Sequence, residues 1–320
     1  MLFFDFTIDM GWRPAASLET LRRRAQLLAD IRAFFNARGV LEVDTDLLGP
    51  APSSDPQQHC LDVTLPGGAR RYLQPSPEYA MKRLLAAGSG SIYQVCKAFR
   101  AGEEGPRHRT EFTLVEWYRV GFGYRALMDE LAALVCGLLG RSPARAFTYG
   151  ELFEHHAGLD PLAASDDALW QRVAMAGIEP SPLLRAAGRD AALDLLLTRL
   201  VEPALAPLGA VFVYDYPASQ AALARLRPDR PLVAERFELY VDGIELANGF
   251  TELTDAVEQR RRFEADNRAR QAQGLTQVPL DEGLLAALQH GLPDCAGVAL
   301  GFDRLLMLAC GFDDIAALQA

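Results

Sequence analysis

The sequence predicts an α+β protein, because it contains two antiparallel strand pairs with helices around them. Asp242-Gly243 is a strong signal for a two-residue turn at the centre of a hairpin over 237–253. The runs 92–100 and 111–119 are also strand-like, and the polar connection between them predicts a second antiparallel pair with a long loop. Apolar residues with helical spacing recur outside these pairs. We therefore expect a mostly antiparallel sheet flanked by helices.

Candidate N-cap residues and the spacing of apolar residues predict the helices. Ser17 is a suitable N-cap for a first helix, whose apolar face includes Ile31 and Phe35 and which ends near Gly39. A short strand is expected at 40–43, and Pro77 can occupy the first turn of the next helix. The remaining predicted helices lie at 79–87, 124–139, 166–176, 190–205, 255–273 and 305–310.

Composition narrows the class of protein. The chain has 320 residues, half of them hydrophobic, which is enough for a large core. A net charge of −10 argues against a broad nucleic-acid-binding face. The five cysteines are odd in number and scattered, as reduced core thiols are. With no recognisable signal peptide or membrane span, we expect a cytoplasmic protein that does not contact a membrane.

The expected domain organisation is simple. Residues 1–16 are interpreted as an N-terminal extension, and the pattern that begins only after Met10 suggests that Met10 is the true start. Residues 17–320 are interpreted as one catalytic domain. Within that domain, about 120–232 is expected to be a helical insertion before the hairpin.

The segment after the hairpin turn places acids in a run that otherwise has the character of a buried strand. Glu245 and Glu252 lie among apolar residues, and a buried carboxylate is costly unless a cation or several donors meet it. The pattern therefore predicts a positively charged guest, which is a metal, an amine or both. The alternative is a hairpin whose acids face solvent.

Counting outward from the turn gives a register. Val241 pairs with Ile244, and Glu238 is then expected to face Ala247, which puts Glu238 and Glu245 on one side of the sheet. Two such carboxylates suit Mg²⁺ with phosphate oxygens. Asn248, Phe250 and Glu252 share a face by the same alternation, but Glu245 is out of phase with them unless a bulge intervenes. Gly249 is the expected place for that bulge.

Three blocks together resemble the catalytic core of the class II aminoacyl-tRNA synthetases, and in detail the lysyl subclass. The blocks are Phe99-Arg100 with the strand 111–119, the run 245–252, and Gly301-Phe302-Asp303-Arg304. Ser76-Pro77-Glu78-Tyr79 accompanies them, and the resemblance extends from about Leu18 to the end. It implies a mostly antiparallel sheet, ATP held in a bent conformation and a homodimer. Asp46 stands where this class has a proline near the dimer interface.

The resemblance also implies an ATP site. Arg100 would bridge the substrate carboxylate and the α-phosphate, Arg304 would bind the γ-phosphate, and Glu238 with Glu245 would hold Mg²⁺. Phe112 would stack on adenine, whereas His108 is either a nucleotide contact or an exposed loop histidine. The full predicted set is Arg100, Gly102, Glu103, His108, Arg109, Phe112, Glu238, Glu245, Leu246, Gly301 and Arg304, with Arg100, Glu245 and Arg304 as the catalytic residues.

The implied amino-acid pocket contains three carboxylates, which suit the two ammonium groups of lysine. Phe250 would pack against the aliphatic part of the substrate. Ala299 stands where tRNA-charging lysyl enzymes usually have glycine, and its methyl group would favour a β-amino acid. The predicted set is Ser76, Pro77, Glu78, Arg100, Glu116, Tyr118, Asn248, Phe250, Glu252 and Ala299.

Lysyl-tRNA synthetases carry an N-terminal anticodon-binding domain, for which this sequence has no room before the core. The resemblance is therefore to the shortened lysyl paralogues, and it implies activation of (R)-β-lysine, or lysine, and transfer to elongation factor P without tRNA. The alternatives are a minimal lysyl-tRNA synthetase-like adenylating enzyme and a non-catalytic regulator that binds an amino acid. A regulator has little need for the ATP ligands Arg100, Glu238, Glu245 and Arg304.

Overall fold

The structure is a computed structural model, and it describes residues 13–319. The suggested start at Met10, with most of the expected extension, lies outside these residues. The helices are α1 (Leu18–Asn36), α2 (Glu78–Ala86), α3 (Tyr124–Leu139), α4 (Tyr149–Ala157), α5 (Asp166–Met175), α6 (Pro182–Ala186), α7 (Arg189–Leu196), α8 (Glu202–Leu205), α9 (Ala256–Ala272), α10 (Glu282–Gly291) and α11 (Phe302–Cys310). The strands are β1 (Leu41–Glu42), β2 (Leu48–Gly49), β3 (Asp62–Thr64), β4 (Arg70–Leu73), β5 (Ile92–Phe99), β6 (Glu111–Val120), β7 (Arg145–Thr148), β8 (Ala210–Pro217), β9 (Val233–Val241), β10 (Ile244–Thr251) and β11 (Cys295–Gly301).

Within this part of the chain, eight strands form one sheet in the order β1-β5-β6-β11-β10-β9-β8-β7. The pairs from β5 to β8 are antiparallel, and only the edge strands β1 and β7 pair in parallel. A separate small sheet has the order β2-β4-β3. The predicted fold, a mostly antiparallel sheet flanked by helices, is confirmed.

The two faces of the large sheet have different surroundings. One face packs against α1, α3 and α11 and forms the main core, which includes Phe35, Trp117 and Phe302. Near the β5-β6-β11 side, the other face packs against α2, α9 and α10. Under α4, α5 and α7, a second core forms around Tyr149 and Phe153. The middle of this second face carries an open cavity.

The predicted elements are confirmed where local signals are strong. Ser17 caps α1 by accepting a hydrogen bond from the Thr20 amide at 3.1 Å, and α3 has the predicted bounds. Asp255 caps α9 in the same way. Ile31 and Phe35 on the predicted apolar face are fully buried, whereas Leu18 at the start of the helix is 71% exposed. All five cysteines are free, and Cys96, Cys136 and Cys295 are buried, as expected for core thiols.

Some elements were not predicted. The segment 120–232 contains helices, and it also contains β7 and β8, which complete the large sheet. α4 begins at a capping box in which Thr148 and Glu151 bond reciprocally, a signal that is visible in the sequence. The predicted helix over 190–205 is divided between α7, a π-turn at Leu197–Val201 and α8. The bounds of the insertion itself stay a prediction.

Candidate active site

A cavity of about 770 Å³ lies on the open face of the large sheet. Strands β6, β9, β10 and β11 form its floor, and α2 and α9 form part of its walls. It brings together most of the predicted site residues, although they come from distant parts of the chain. Those that line it are Ser76, Glu78, Arg100, Glu103, Glu116, Tyr118, Glu238, Glu245, Asn248, Phe250, Glu252 and Ala299.

A bulge in β10 allows one strand to supply both ends of the cavity. Glu245 pairs with Tyr240 as predicted, but the register then shifts, so that Ala247 opposes Leu239 and Asn248 opposes Glu238. Leu246 and Ala247 therefore both point into the main core. Because two consecutive residues face the core, Glu245 lies on the same face of the sheet as Asn248, Phe250 and Glu252.

The predicted bulge exists, but two details of the prediction were wrong. The bulge lies between Glu245 and Ala247 rather than at Gly249, and Glu238 faces Asn248 rather than Ala247. A Cβ on Gly249 would lie 2.6 Å from the ring of Phe237, so glycine there serves close packing instead. Leu246 was predicted to contact ATP, yet the residue is 2% exposed and its side chain packs in the main core, so a contact with ATP would have to come from its backbone.

Side chains from four neighbouring strands form a continuous row across the floor. Glu116 opposes Ala299, Ala299 opposes Asn248, and Asn248 opposes Glu238. A second row contains Tyr118, Gly297 and Phe250. Ala299 thus lies between Glu116 on one neighbouring strand and Asn248 on the other.

One end of the cavity is lined by carboxylates that are almost fully buried. Glu116 accepts hydrogen bonds from Ser76 Oγ at 2.6 Å and from the Tyr118 hydroxyl at 2.7 Å. Burial, and then the charge of Glu78, raise the pKa of Glu116 to about 7. Glu252 is also enclosed, and burial raises its pKa although the nearby ammonium of Lys82 opposes the shift. We call this part, formed by Ser76, Glu78, Glu116, Tyr118 and Glu252, the amine end.

Lys82 was not predicted to belong to the site. Its Nζ lies 2.6 Å from Glu78 Oε1 and 2.6 Å from Glu252 Oε2, and its side chain is 1% exposed. Glu252 therefore has a cation of the chain itself as its neighbour, in addition to any guest. The spacing of Glu78 and Lys82 on one helical turn was visible in the sequence, but the approach of Glu252 was not.

Gly297 is a second residue that sequence reasoning missed. A Cβ at this position would overlap the Tyr118 ring and lie 2.5 Å from Glu252 Oε1. The absence of a side chain lets both groups come close above the sheet. A glycine inside a strand pattern was the available signal.

The opposite end of the cavity contains Glu238 and Glu245, and we call it the phosphate end. Glu238 accepts hydrogen bonds from the hydroxyls of Tyr216 and Tyr240 and from Arg236 Nη2, each at 2.6 Å. Glu245 is 40% exposed at its side chain, and its Oε2 lies 3.3 Å from Arg304 Nη1. Of the two carboxylates, Glu245 is the one with oxygens open to a ligand.

Glu202 adds a third carboxylate to this neighbourhood. It comes from α8, and the Tyr240 hydroxyl lies 3.5 Å from its Oε1. Burial, followed by the charges of Glu238 and Glu245, raises the pKa of Glu202 to about 7. Among residues 13–319, however, no group of three or more such side chains is arranged to hold a metal ion. The oxygen donors have the chemistry of Mg²⁺ ligands, but Glu238 already holds three protein donors.

Arg304 joins the third sequence block to the other two. It lies in the first turn of α11, and its Nη1 donates to the Glu245 carbonyl at 2.8 Å. Burial, and then this guanidinium, lower the pKa of His108, so that the neutral ring accepts from Arg304 Nη2 at 2.7 Å. Gly301 is the N-cap of the same helix. His108 is thus tied to the phosphate end from the loop between β5 and β6.

Arg100 begins that loop and faces the cavity. Its guanidinium lies 5.1 Å above the ring of Phe112 and 4.0 Å from Glu103. Its Nε is buried without a hydrogen-bond partner among the described residues. Donors on Arg100 are therefore free for an anionic ligand. Gly102, with φ of 79°, and the half-buried Arg109 belong to the same loop, and Pro77 is the N-cap of α2.

The fold and the cavity define a protein with a mostly antiparallel sheet whose open face carries a cleft, with buried carboxylates at one end and an exposed carboxylate beside an arginine at the other. The family of class II tRNA synthetases (D, K and N) matches residues 7–320. The chain therefore belongs to the class II tRNA synthetase family. Within residues 13–319, no helix combines the length and apolar character needed to cross a bilayer.

Two curated relatives match nearly the whole chain. The chain is 48% identical over 316 residues to the elongation factor P–(R)-beta-lysine ligase of Vibrio cholerae, with 96% of each chain covered. It is 47% identical over 311 residues to the ligase of the same name from Salmonella gallinarum, with 95% of each chain covered.

Proposed function

We propose that this protein is an ATP-dependent ligase that activates (R)-β-lysine, or less well lysine, as an aminoacyl-adenylate. It then transfers the aminoacyl group to the ε-amine of one lysine on elongation factor P, without tRNA. The observation that carries the proposal is a single cavity with a carboxylate-lined amine end and, across the sheet, an arginine-bearing phosphate end. The names of relatives that match nearly the whole chain support the choice of substrate and acceptor.

The amine end would bind the two ammonium groups of the substrate. Glu116 is fixed by Ser76 and Tyr118, and Glu252 presents an oxygen above Gly297. Phe250 and Ala299 would contact the carbon chain between the amines and the carboxylate. Charge-assisted hydrogen bonds of this kind discriminate well between substrates with and without the amine, because the buried carboxylates remain unpaired when the amine is missing.

In the first step, an oxygen of the substrate carboxylate attacks the α-phosphorus of ATP, the bond to the bridging oxygen breaks and pyrophosphate leaves. Arg100 would hold the attacking carboxylate and the α-phosphate together, since its fork of donors can bridge two anions. Arg304 would bind the γ-phosphate near the N-terminus of α11. Phe112 and His108, with Gly102, Glu103, Arg109 and the backbone of Leu246, complete the proposed nucleotide site.

Mg²⁺ would be held by Glu245, with Glu238 as its neighbour, and would neutralise charge on the phosphates. Glu238 also orients Arg236 and Tyr240. In the second step, the acceptor amine attacks the adenylate carbonyl, a carbon–nitrogen bond forms and AMP leaves. The proton lost from the amine would pass to the departing phosphate or to solvent.

Other features of the proposal concern organisation. We propose a cytoplasmic homodimer with one catalytic domain over 17–320, in which about 120–232 is an insertion. Size-exclusion chromatography with light scattering would test the dimer. A monomer at micromolar concentration that retains full activity would exclude it.

The function itself is tested by incubating the protein with ATP, Mg²⁺, (R)-β-lysine and elongation factor P, followed by mass spectrometry of the acceptor. We expect one aminoacyl addition on one lysine, and none with Arg100→Ala. A parallel incubation with lysine-accepting tRNA distinguishes a minimal tRNA-charging enzyme. Efficient charging of tRNA without modification of elongation factor P would overturn the proposal, and the absence of any ATP–pyrophosphate exchange would indicate a regulator.

A further inference from the structure

The chain contains two lysines, and their environments differ completely. Lys97 is 47% exposed and lies 3.1 Å from Glu111 on the neighbouring strand. Lys82 is 1% exposed and lies between Glu78 and Glu252 at the amine end. A fully buried lysine is rare, because its ammonium loses hydration that only well-placed anions can replace.

The charges around Lys82 can be counted. The titratable groups that face it are Glu78 on its own helix, Glu116 and Tyr118 on β6, Glu252 after β10 and Cys295 on β11. Burial raises the pKa values of Tyr118 and Cys295, so both are neutral at pH 7. Three carboxylates and one ammonium remain. When the carboxylates are ionised, the amine end carries two uncompensated negative charges.

The geometry leaves one of those charges facing the cavity. Lys82 Nζ lies 2.6 Å from Glu252 Oε2, and neither oxygen of Glu252 has a geometrically aligned hydrogen-bond donor among the described residues, so Oε1 has neither a donor nor an ion-pair partner there. A buried carboxylate oxygen without a hydrogen-bond donor destabilises the protein until a donor reaches it. The free oxygen lies over Gly297, next to the ring of Tyr118. Glu252 lines the cavity, so a donor on a ligand bound there lies on the side of this oxygen.

We propose that Lys82 is a positioning and specificity-determining residue, which fixes Glu78 and Glu252 and sets the charge of the amine end to match a substrate with two ammonium groups. The proposal rests on the proposed function. Lys82 does not contact the reacting atoms. It acts through Glu252, whose ionised form it stabilises and whose second oxygen it leaves open to the substrate.

The effect of Lys82→Met follows from this arrangement. Methionine has a similar length and no charge, so Glu252 would remain buried without a cation. Burial already raises the pKa of its carboxyl group to about 8, and loss of the Lys82 ammonium would raise that pKa further, so the protonated form would persist to higher pH. A protonated Glu252 is a poor partner for an ammonium group. The substrate would have to displace that proton, and binding would become strongly dependent on pH.

The experiment compares the wild-type protein, Lys82→Met and the control Lys97→Met by ATP–pyrophosphate exchange. Each is assayed with (R)-β-lysine and with the analogue that lacks the terminal amine, between pH 6 and pH 9. For Lys82→Met we expect KM for (R)-β-lysine to rise about 30-fold or more, with kcat within about 3-fold, since one buried ion pair is lost. The preference over the analogue should fall about 10-fold or more, and the inflection of KM with pH should move upward. Lys97→Met should change neither.

A purely structural role for Lys82 would lower the melting temperature without moving the inflection or the preference, and that result would overturn the proposal. Lys82→Gln removes the charge but keeps a polar side chain, and it serves if Lys82→Met does not fold. Wild-type preference and an unmoved inflection in Lys82→Gln would equally reject the proposal, whereas lost preference with a raised inflection supports it. Failure of the proposed function is separate, because it would appear as absent (R)-β-lysine-dependent exchange in the wild-type protein.

Discussion

The two ends of the cavity use the same residue type for different purposes. At the amine end, Glu116 and Glu252 are 2% and 1% exposed. Glu116 accepts hydrogen bonds from two hydroxyls, and Glu252 lies beside the ammonium of Lys82. At the phosphate end, Glu245 is 40% exposed at its side chain and has one arginine at 3.3 Å. Both sets lie on one face of one sheet, with Glu245 near the start of β10 and Glu252 directly after its end. The carboxylates at the two ends differ in burial and in their partners.

This difference determines what each end can bind. An enclosed carboxylate gains most from a ligand that brings its own hydrogen-bond donors and charge, as an ammonium group does. An open carboxylate can exchange water for a metal ion or leave a phosphate in reach of nearby arginines. Glu238 is intermediate, because it is buried but already bonded to Arg236 and two tyrosines. On the proposed function, the amine end determines specificity and the phosphate end is where the reaction takes place.

The largest expected effect comes from matched isosteric changes at the two ends. Glu245→Gln should lower kcat for pyrophosphate exchange about 100-fold, because charge near the phosphates is lost, while KM for (R)-β-lysine stays within about 2-fold. Glu252→Gln should raise that KM about 100-fold, because an ammonium group loses its anionic partner. Steady-state exchange assays separate the two constants. Equal effects of both variants on both constants would abolish the distinction between the ends.

Gly297→Ala is expected to damage only the amine end. The added methyl group would overlap the Tyr118 ring and approach Glu252, so one of them must shift. We expect KM for (R)-β-lysine to rise about 10- to 100-fold, with binding of ATP unchanged. Calorimetric titration of each ligand measures this. Gly137→Ala in α3 is the matched control, since a Cβ there has no neighbour within 4 Å.

The pH dependence of stability should report the amine end in the ligand-free protein. The folded-state pKa of Glu116, about 7, is above the unfolded value near 4.5, so the folded protein favours the protonated form. That contribution to stability is present at low pH and is lost as pH rises through about 7. We expect the melting temperature to fall between pH 5.5 and 8.5.

(R)-β-lysine should oppose this fall, because its ammonium groups stabilise the ionised carboxylates. The rise in melting temperature that it causes should therefore increase with pH over the same interval. Differential scanning fluorimetry with and without the ligand gives both curves. Glu116→Gln should reduce the slope of the ligand-free curve but not abolish it, because Glu202 and Glu252 also have raised pKa values. An unchanged slope in that variant would assign the pH dependence to other groups.

The sequence was sufficient for the parts of the fold and site that depend on local patterns. Asp242-Gly243 indicated the hairpin, and the conflict in alternation between Glu245 and Glu252 indicated a bulge. The place of the bulge was not predictable in the same way, because it depends on the main core accepting both Leu246 and Ala247. Gly249 was a reasonable local choice, but tertiary packing uses it for contact with Phe237.

The remaining differences also come from long-range contacts. Lys82 is one helical turn from Glu78, yet its pairing with Glu252 exists only once α2 packs beside β10. The hydroxyls of Tyr216 and Tyr240 saturate Glu238 because β8 and β9 pair, and β8 was not predicted. Sequence patterns thus identified the carboxylates of the site, but the neighbours that set their charge and availability required the folded sheet.

The smallest expected effect concerns the border between the two ends. Ala299 lies between Glu116 and Asn248 on the cavity floor. On the proposed function, its methyl group would compete for space with a substrate α-amine. Ala299→Gly should shift the ratio of (R)-β-lysine to lysine activation toward lysine by about 3- to 10-fold, which is the range for one methyl group. Pyrophosphate exchange with each amino acid measures the ratio. Because no charge changes, the inflection of KM with pH should stay where it is, unlike in Lys82→Met. An unchanged ratio would mean that the choice between α- and β-amino acids is made by the carboxylates rather than by the shape of the floor.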